Sequence, residues 1–391
     1  MKSLLFICWD GPQVNYLEGL FFPILNGLKD KYRIHVIQFT WGDPGTSDGT
    51  SVRFAKAGMR YQRYTVSRRP HVAAGTILTL WSGTRYLKRY ARENKIDILL
   101  PRSTFPSLMV LAMGKTLAGR RLVFDADGLP LEERVDFAGL NPGGMQYRFL
   151  KQKEIRVIGK ADRILTRTRA AIPLLTGTPS DPRFHVVSNG RDPRQFRPLS
   201  ADERERIRTG LGLDEKELVL VYCGSLGPQY CVQEMLALPE LAAVHGIACK
   251  LLVLTGSPEL LGAGLSERVI VRSLPFSEVP RYLGAADIGL AIREPFPSMA
   301  GVAPIKLGEY LLCGLPVLAS RGIGDTGVLL DGWESCHLLG DHSREAFEEA
   351  VRWMALLPGR DRVRADAREL GLKHFSLEES IASYRKALED L

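Results

Sequence analysis

Short apolar runs alternate with longer amphipathic stretches along the first half of this 391-residue chain. The apolar runs lie at 3–8, 33–39, 96–100, 121–125, 163–166 and 184–187, and the amphipathic stretches at 15–30, 76–93, 106–118 and 145–160. Apolar strands that alternate with amphipathic helices are typical of parallel sheets built from βαβ units. The first half is therefore predicted to be a doubly wound, Rossmann-like α/β domain.

The alternating pattern stops in the polar stretch 191–208 and then begins again. Further apolar runs lie at 218–222, 250–254, 269–271, 288–291 and 316–318. We therefore predict two Rossmann-like domains, at 1–190 and 191–373. Ligands of open α/β sheets bind at the carboxyl ends of the strands, so two such domains facing each other across a cleft are expected to share one active site there.

The composition is that of a globular protein large enough for two domains. Hydrophobic content of 45% and charged content of 25% are ordinary for a globular protein, and 391 residues are enough for two cores. Asp10 comes too early for a secretory leader, and no apolar run is long enough to span a bilayer. The six cysteines and seven histidines show no metal-binding spacing. A reducing, cytoplasmic location is expected.

The stretch 304–319 combines a helix signal with two opposite charges. Pro304 suits the first helical position and Gly314 the left-handed residue beyond the helix end, which places Lys306 and Glu309 on one face. A helix start offers free N–H groups and a positive dipole, so Lys306 would meet a phosphate while Glu309 accepts hydrogen bonds from hydroxyls. A nucleotide sugar has both groups. The alternative is a solvated ion pair on a surface helix.

These residues resemble a motif of the retaining glycosyltransferases of the GT-B fold, in the large family 4 group. In that family a Glu, a small apolar run, Gly, any residue, Pro and Val hold the ribose of the donor, and 309–318 is similar to this pattern. The stretch 188–198 resembles the junction that opens the family's second domain. The resemblance implies an N-terminal acceptor domain, joined by a C-terminal helix at 374–391, and a C-terminal nucleotide-sugar donor domain.

Other donor-binding residues follow from the same resemblance. The family's first Glu would stand at Gly301, so Glu294 is expected to replace that carboxylate, with Lys306 as the second catalytic residue of this domain. Backbone amides of Gly301, Val302 and Ala303 would take over part of its role, because glycine permits close approach to a ligand. The turn at Gly224 and Ser225 could cradle the diphosphate, and Arg293 is a further cation for the phosphates.

In the first domain, the candidates lie where strands end. Gly11, Gln13 and Asn15 follow the first strand and are expected to form an acceptor or phosphate loop, to which we add Arg102 and Glu133. Asp127 is expected to contact the transferred sugar as a third catalytic residue. The run 125–127 also has the Asp-x-Asp form of a metal motif, but that motif belongs to a glycosyltransferase fold with no second Rossmann-like domain, so no metal is expected.

The resemblance implies a metal-independent, hexosyltransferase-like enzyme. It would transfer a sugar, with retention of configuration, from a nucleoside diphosphate sugar to a glycan or lipid-linked acceptor in bacterial cell-surface polysaccharide or glycolipid synthesis. No cofactor and no nucleic acid partner are expected. Two alternatives remain open: a nucleotide-sugar epimerase of the same fold, and a catalytically silent partner subunit.

Basic residues crowd the segment 60–95. Its helical part, 77–95, alternates apolar with basic side chains, the latter being Arg85, Lys88, Arg89 and Arg92. Such a face can hold a protein reversibly on an anionic membrane without a transmembrane span. We therefore expect a peripheral association with the inner face of the membrane. The alternative is a packed surface helix with snorkelling basic residues.

Overall fold

The computed structural model describes residues 1–12, 16–42, 45–357 and 361–391. These residues divide into two compact units. Unit 1 comprises Met1–Val187 and Ser380–Leu391, and unit 2 comprises Ser188–Glu379.

The strands, in chain order, are β1 Lys2–Trp9, β2 Tyr32–Thr40, β3 Arg60–Thr65, β4 Ile98–Pro101, β5 Arg121–Asp125, β6 Arg163–Thr166, β7 Phe184–Val186, β8 Leu218–Cys223, β9 Cys249–Leu254, β10 Val269–Arg272, β11 Ile288–Ala291, β12 Val317–Ser320 and β13 Cys336–Leu339.

The α-helices are α1 Phe22–Asn26, α2 Gly45–Lys56, α3 Val72–Glu93, α4 Thr104–Leu111, α5 Pro130–Ala138, α6 Met145–Lys160, α7 Ala171–Thr176, α8 Ala201–Gly210, α9 Val232–Val244, α10 Val279–Ala285, α11 Ile305–Leu312, α12 Thr326–Leu329, α13 Arg344–Ala355, α14 Asp361–Phe375 and α15 Leu377–Leu388. A π-helical turn at Leu17–Phe21 precedes α1, and 3₁₀ turns lie at Gly114–Leu117, Pro258–Leu261 and Pro297–Gly301.

Each unit contains one parallel sheet. The strand order is β3-β2-β1-β4-β5-β6-β7 in unit 1 and β10-β9-β8-β11-β12-β13 in unit 2. In both sheets the order reverses beside the first strand of the unit, which is the arrangement of a doubly wound fold. The predicted fold class, two Rossmann-like α/β units, is confirmed.

The strands are apolar runs because both faces of each sheet are covered. In unit 2, alternate side chains of β8 enter two different cores. Val219 and Val221 pack in one cluster, whereas Leu218 and Leu220 pack in the other. A strand buried on both faces reads as a continuous hydrophobic run, and this is why the central strands were predictable.

The chain passes from one unit to the other at two places, and both lie a few residues from the predicted boundaries. The chain divides after Val187 instead of after 190, and it returns to unit 1 at Ser380 instead of at 374. The segment before Ser380 is tied to the start of unit 2, because Arg191 N–H donates to Phe375 O over 2.9 Å and Leu377 N–H donates to Arg191 O over 2.8 Å. A Cβ on Gly190 would lie 1.9 Å from the carbonyl oxygen of Ser376, so only glycine permits this close approach.

Within the described ranges, no helix combines the length and the apolar character that a bilayer-spanning segment needs.

Candidate functional sites

The first helical turn of α11 brings Lys306 to the loop that follows β8. Pro304 caps the helix instead of occupying its first position, which makes Lys306 the second helical residue. Its Nζ donates a hydrogen bond to the hydroxyl of Tyr222 over 3.2 Å and lies 4.4 Å from the ring centroid of Tyr230. A Cβ on Gly224 would lie 1.8 Å from this Nζ. Glycine at 224 therefore leaves the space that the ammonium occupies in this position.

Glu309 lies one turn further along α11 and is buried, with 5% of its surface exposed. Its Oε1 accepts a hydrogen bond from Arg191 Nε over 2.8 Å. An ionised carboxylate in such a place needs a cation, and Arg191 supplies it from the start of unit 2. This is a buried ion pair, unlike the solvated pair with Lys306 that was the alternative for this helix. Sequence reasoning gave Arg191 no role in the site.

Tyr230 lies between two cations. Arg293 Nη2 donates to its hydroxyl over 3.3 Å, and the Ser225 hydroxyl lies 3.2 Å from the same oxygen. Burial favours a raised pKa for this phenol, but Lys306 and Arg293 outweigh it and lower the pKa of Tyr230. Burial, reinforced by repulsion from Arg293, likewise lowers the pKa of Lys306.

The positive charge at this place is not neutralised by a carboxylate. Among the described residues, Lys306 and Arg293 form no ion pair, because Glu309 pairs with Arg191 and Glu294 lies against His342. Two cations beside the start of an α-helix create a strong preference for an anion. The arrangement can therefore bind a phosphate or diphosphate group.

The segment 301–303 begins at the end of a 3₁₀ turn that already uses one of its three predicted amides. Gly301 ends the 3₁₀ turn and is buried, and Ala303 is half-buried. The N–H of Val302 donates to Met299 O over 3.1 Å, so this amide is already used within the turn. The role of the Val302 amide in ligand binding stays a prediction, and it would require this hydrogen bond to be shared or broken.

Glu294 faces away from the Lys306 site. Its Oε2 lies 3.4 Å from His342 Nδ1 and 3.8 Å from the Sγ of Cys231. The backbone geometry explains this direction, since Tyr230 and Arg293 form an antiparallel bridge that orients neighbouring side chains to opposite sides.

In unit 1, five charged residues form one network where strands of the sheet end. Arg102 pairs with Asp10 over 2.9 Å and with Asp127 over 2.5 Å. Arg167 pairs with Asp125 over 2.8 Å and with Asp127 over 3.3 Å. The N–H of Asp127, whose φ is +54°, also donates to Asp125 Oδ1 over 3.1 Å. The network therefore fixes the half-buried carboxylate of Asp127 from both sides.

This network contains two of the predicted site residues, Arg102 and Asp127. Burial alone would lower the pKa of Arg102, but Asp127 and Asp10 outweigh it and raise the pKa. Two carboxylates pair with Arg102, so the predicted contact of its guanidinium with an anionic ligand would compete with these ion pairs and stays a prediction. Two arginines also hold the oxygens of Asp127, which makes this carboxylate a rigid hydrogen-bond acceptor.

The structure describes two of the other candidates of unit 1. Gly11 is half-buried, and a Cβ there would lie 3.2 Å from the ring of Trp41. Glu133 is half-buried in the first turn of α5. Gln13 and Asn15 lie outside the described residues.

Sequence reasoning missed several members of these clusters. Asp10 and Arg167 could have been found, since each directly follows a strand, as Arg102 does. For Tyr230 and His342 the sequence gave no signal.

Comparisons with known proteins agree with this architecture. No family model matches the chain. The chain is 26% identical over 262 residues to a D-inositol 3-phosphate glycosyltransferase of Rhodococcus jostii (strain RHA1), in a match that covers 60% of this chain and 54% of that protein. The chain spans about half the length of the curated relatives it matches.

Two solved structures cover nearly all of the chain. One is Anabaena Alr3699/HepE in complex with UDP and glucose, with a TM-score of 0.73, 14% identity and 100% coverage of both chains. The chain has the GT-B glycosyltransferase fold. The second GT-B structure is WaaG, a glycosyltransferase involved in lipopolysaccharide biosynthesis, with a TM-score of 0.69, 18% identity, and coverage of 98% of this chain and 100% of that one. The predicted resemblance to GT-B glycosyltransferases is thereby confirmed.

Proposed function

We propose that this protein transfers a sugar from a nucleoside diphosphate sugar to an acceptor and that unit 2 holds the donor. The observation that carries the proposal is the unneutralised pair of cations, Lys306 and Arg293, beside the start of α11. A diphosphate would supply the negative charge that pairs with these two cations. Glycosyltransferase names among the sequence relatives, and the UDP and glucose bound to Alr3699/HepE, support the same donor class.

The donor would be held at two places along α11. The diphosphate lies at the helix start, where Lys306 and the free N–H groups stabilise the charge that develops on the leaving group. One turn further on, Glu309 accepts hydrogen bonds from the ribose hydroxyls. Arg191 limits the rotation of that carboxylate, because Nε donates to Oε1 over 2.8 Å. Transfer with retention of configuration is proposed from the resemblance to family 4.

Unit 1 would bind the acceptor. Asp127 offers a fixed carboxylate that can accept a hydrogen bond from a sugar hydroxyl, since Arg102 and Arg167 hold both of its oxygens in place. A glycan or lipid-linked acceptor of bacterial cell-surface polysaccharide or glycolipid synthesis suits this role. WaaG, which shares the fold, acts in lipopolysaccharide biosynthesis.

The transfer step is proposed to need no metal. Both carboxylates of the Asp-x-Asp run, Asp125 and Asp127, are paired with arginines. A divalent cation at these oxygens would have to displace or closely approach the guanidinium groups, which Coulomb repulsion opposes.

The first test of the donor site is the affinity for nucleoside diphosphate. Lys306→Ala and Glu309→Gln should each weaken binding by about 1–3 kcal/mol, the usual loss for a charge-assisted hydrogen bond, when measured by calorimetry. Glu309→Gln keeps the side chain's size, so the effect reports charge and not packing. The exposed residues Lys216 and Glu259 provide matched controls as Lys216→Ala and Glu259→Gln. Unchanged affinity in both site variants would show that the nucleoside diphosphate does not bind at α11.

A second test concerns the metal. After divalent cations are removed by a chelator, turnover should not need Mn²⁺ to be added back, because ammonium and amide groups, not a metal, stabilise the leaving group. Turnover is measured before and after the chelator, and again after Mn²⁺ or Zn²⁺ is added. Loss of activity that Mn²⁺ restores and Zn²⁺ does not would contradict the proposal and point to the Asp125 and Asp127 carboxylates.

A membrane-associated acceptor is proposed from the surface of α3. Ile77, Leu78 and Trp81 are exposed, and the Arg85 guanidinium lies 3.2 Å from the Trp81 ring centroid. Apolar and basic side chains thus share one surface, as in helices that bind anionic membranes. Leu87 does not belong to this surface, because it packs in the core of unit 1.

The membrane proposal predicts sedimentation with anionic vesicles. Binding should rise with the fraction of anionic lipid and fall with salt, because each basic residue contributes about 1 kcal/mol near such a surface. It should weaken when Arg85, Lys88, Arg89 and Arg92 are changed together to Gln. The matched control changes four exposed cations of unit 2 to Gln, namely Lys216, Arg272, Arg321 and Arg362. Wild-type protein that stays in the supernatant at low salt would favour a soluble acceptor.

A further inference from the structure

Three potential metal ligands converge beside the donor site of unit 2. Cys231 precedes α9, Glu294 lies in the loop after β11, and His342 lies in the loop after β13. Sγ of Cys231 lies 3.5 Å from Nδ1 of His342 and 3.8 Å from Oε2 of Glu294, and these nitrogen and oxygen atoms are 3.4 Å apart. The three ligand atoms therefore form a nearly equilateral triangle.

The dimensions of this triangle suit tetrahedral zinc. Zn²⁺ binds sulfur at about 2.3 Å and nitrogen or oxygen at about 2.0–2.2 Å. At the tetrahedral angle these bond lengths separate two ligand atoms by about 3.3–3.7 Å. The observed separations of 3.4, 3.5 and 3.8 Å agree with this range within the tolerance of about 0.2 Å expected of a metal site.

The histidine is oriented as a metal ligand requires. Nε2 of His342 lies 3.0 Å from the hydroxyl oxygen of Ser320, a buried residue at the end of β12. When Nε2–H donates to this oxygen, the lone pair of Nδ1 faces Cys231 and Glu294. The same hydroxyl oxygen accepts the N–H of Arg293 over 3.0 Å, so the orienting group is itself fixed. Hydrogen bonds of this kind commonly set the tautomer of a ligating histidine.

We propose that Cys231, Glu294 and His342 bind Zn²⁺ through Sγ, Oε2 and Nδ1, with water at the fourth position. Thiolate, imidazole and carboxylate together favour zinc over magnesium or calcium. Binding releases the thiol proton of Cys231 to solvent, and the thiolate and carboxylate charges then balance the ion. The side chain of Glu294 is 46% exposed, and a cavity of about 340 Å³ lined by Cys231 and Glu294 gives the ion access.

The bound ion cross-links three loops at the carboxyl edge of the second sheet. Cys231 directly follows Tyr230, and Glu294 directly follows Arg293, so the ion fixes the two segments that carry the phenol and the guanidinium of the donor site. Its role is structural and does not depend on the proposed transfer reaction.

The test uses Co²⁺ as a spectroscopic substitute for Zn²⁺. Untagged protein is stripped of metal with a chelator, dialysed and titrated with Co²⁺, and then with Zn²⁺ in competition. We expect one equivalent of metal per chain, with the intense absorption of tetrahedral, thiolate-bound Co²⁺. Cys231→Ser should abolish the thiolate band, and Glu294→Gln and His342→Gln should each weaken affinity by at least about tenfold.

The controls use residues of the same type outside the triangle. Cys336→Ser and His337→Gln alter another half-buried thiol and imidazole of unit 2 and should leave both the band and the affinity unchanged. Glu294→Gln changes a partly exposed side chain and keeps its size, so this variant remains informative if Cys231→Ser fails to fold. Zn²⁺ should also raise the melting temperature of the wild-type protein more than that of Glu294→Gln.

Two results would overturn the zinc site. One is the absence of stoichiometric binding at micromolar free Zn²⁺. The other is a thiolate band or an affinity that persists unchanged in Cys231→Ser or Glu294→Gln, since the metal would then be held elsewhere.

Discussion

The contact between the Lys306 ammonium and the backbone of Gly224 is the constraint on which the candidate donor site depends. A Cβ at position 224 would lie 1.8 Å from Nζ, so a larger residue would force the tip of the lysine side chain to shift from this position. Glycine lets the loop after β8 and the first turn of α11 meet, which brings the lysine charge and the helix N–H groups to one place. The rings of Tyr222 and Tyr230 then cover the ammonium without neutralising it.

The carboxylates of the two units pair with different cations, and the two candidate sites therefore differ in charge. In unit 2, Glu309 is paired with Arg191, and the cations beside α11 keep their charge for a ligand. In unit 1, Asp127 and its neighbouring carboxylates neutralise Arg102 and Arg167, so the network offers a rigid polar surface and little net charge. The first arrangement suits an anionic donor, and the second suits hydroxyl groups.

The sequence predicted what depends on local pattern and missed what depends on distant contacts. Strands buried on both faces were found as apolar runs, but the edge strands β3 and β13 were missed, since β3 reads as the mostly polar run Arg60–Thr65. The helix carrying Lys306 and Glu309 was predictable from its spacing and its end signals. The partners of these residues were not, because Arg191 lies 118 residues from Glu309. For the same reason no spacing rule could find a cluster joining Cys231 to His342, which are 111 residues apart.

The central claim is that the positive charge of Lys306 stabilises a nucleoside diphosphate as it leaves the donor sugar. The most direct measurement is nucleotide release from a panel of nucleoside diphosphate sugars by the purified protein, with the anomeric form and identity of the released sugar followed by NMR. The account predicts release of nucleoside diphosphate from at least one donor, at a rate that falls sharply in Lys306→Ala, with the donor's sugar configuration retained. Turnover of no donor would instead indicate a silent subunit, and release of a free epimerised sugar would indicate an epimerase; either result would contradict the account.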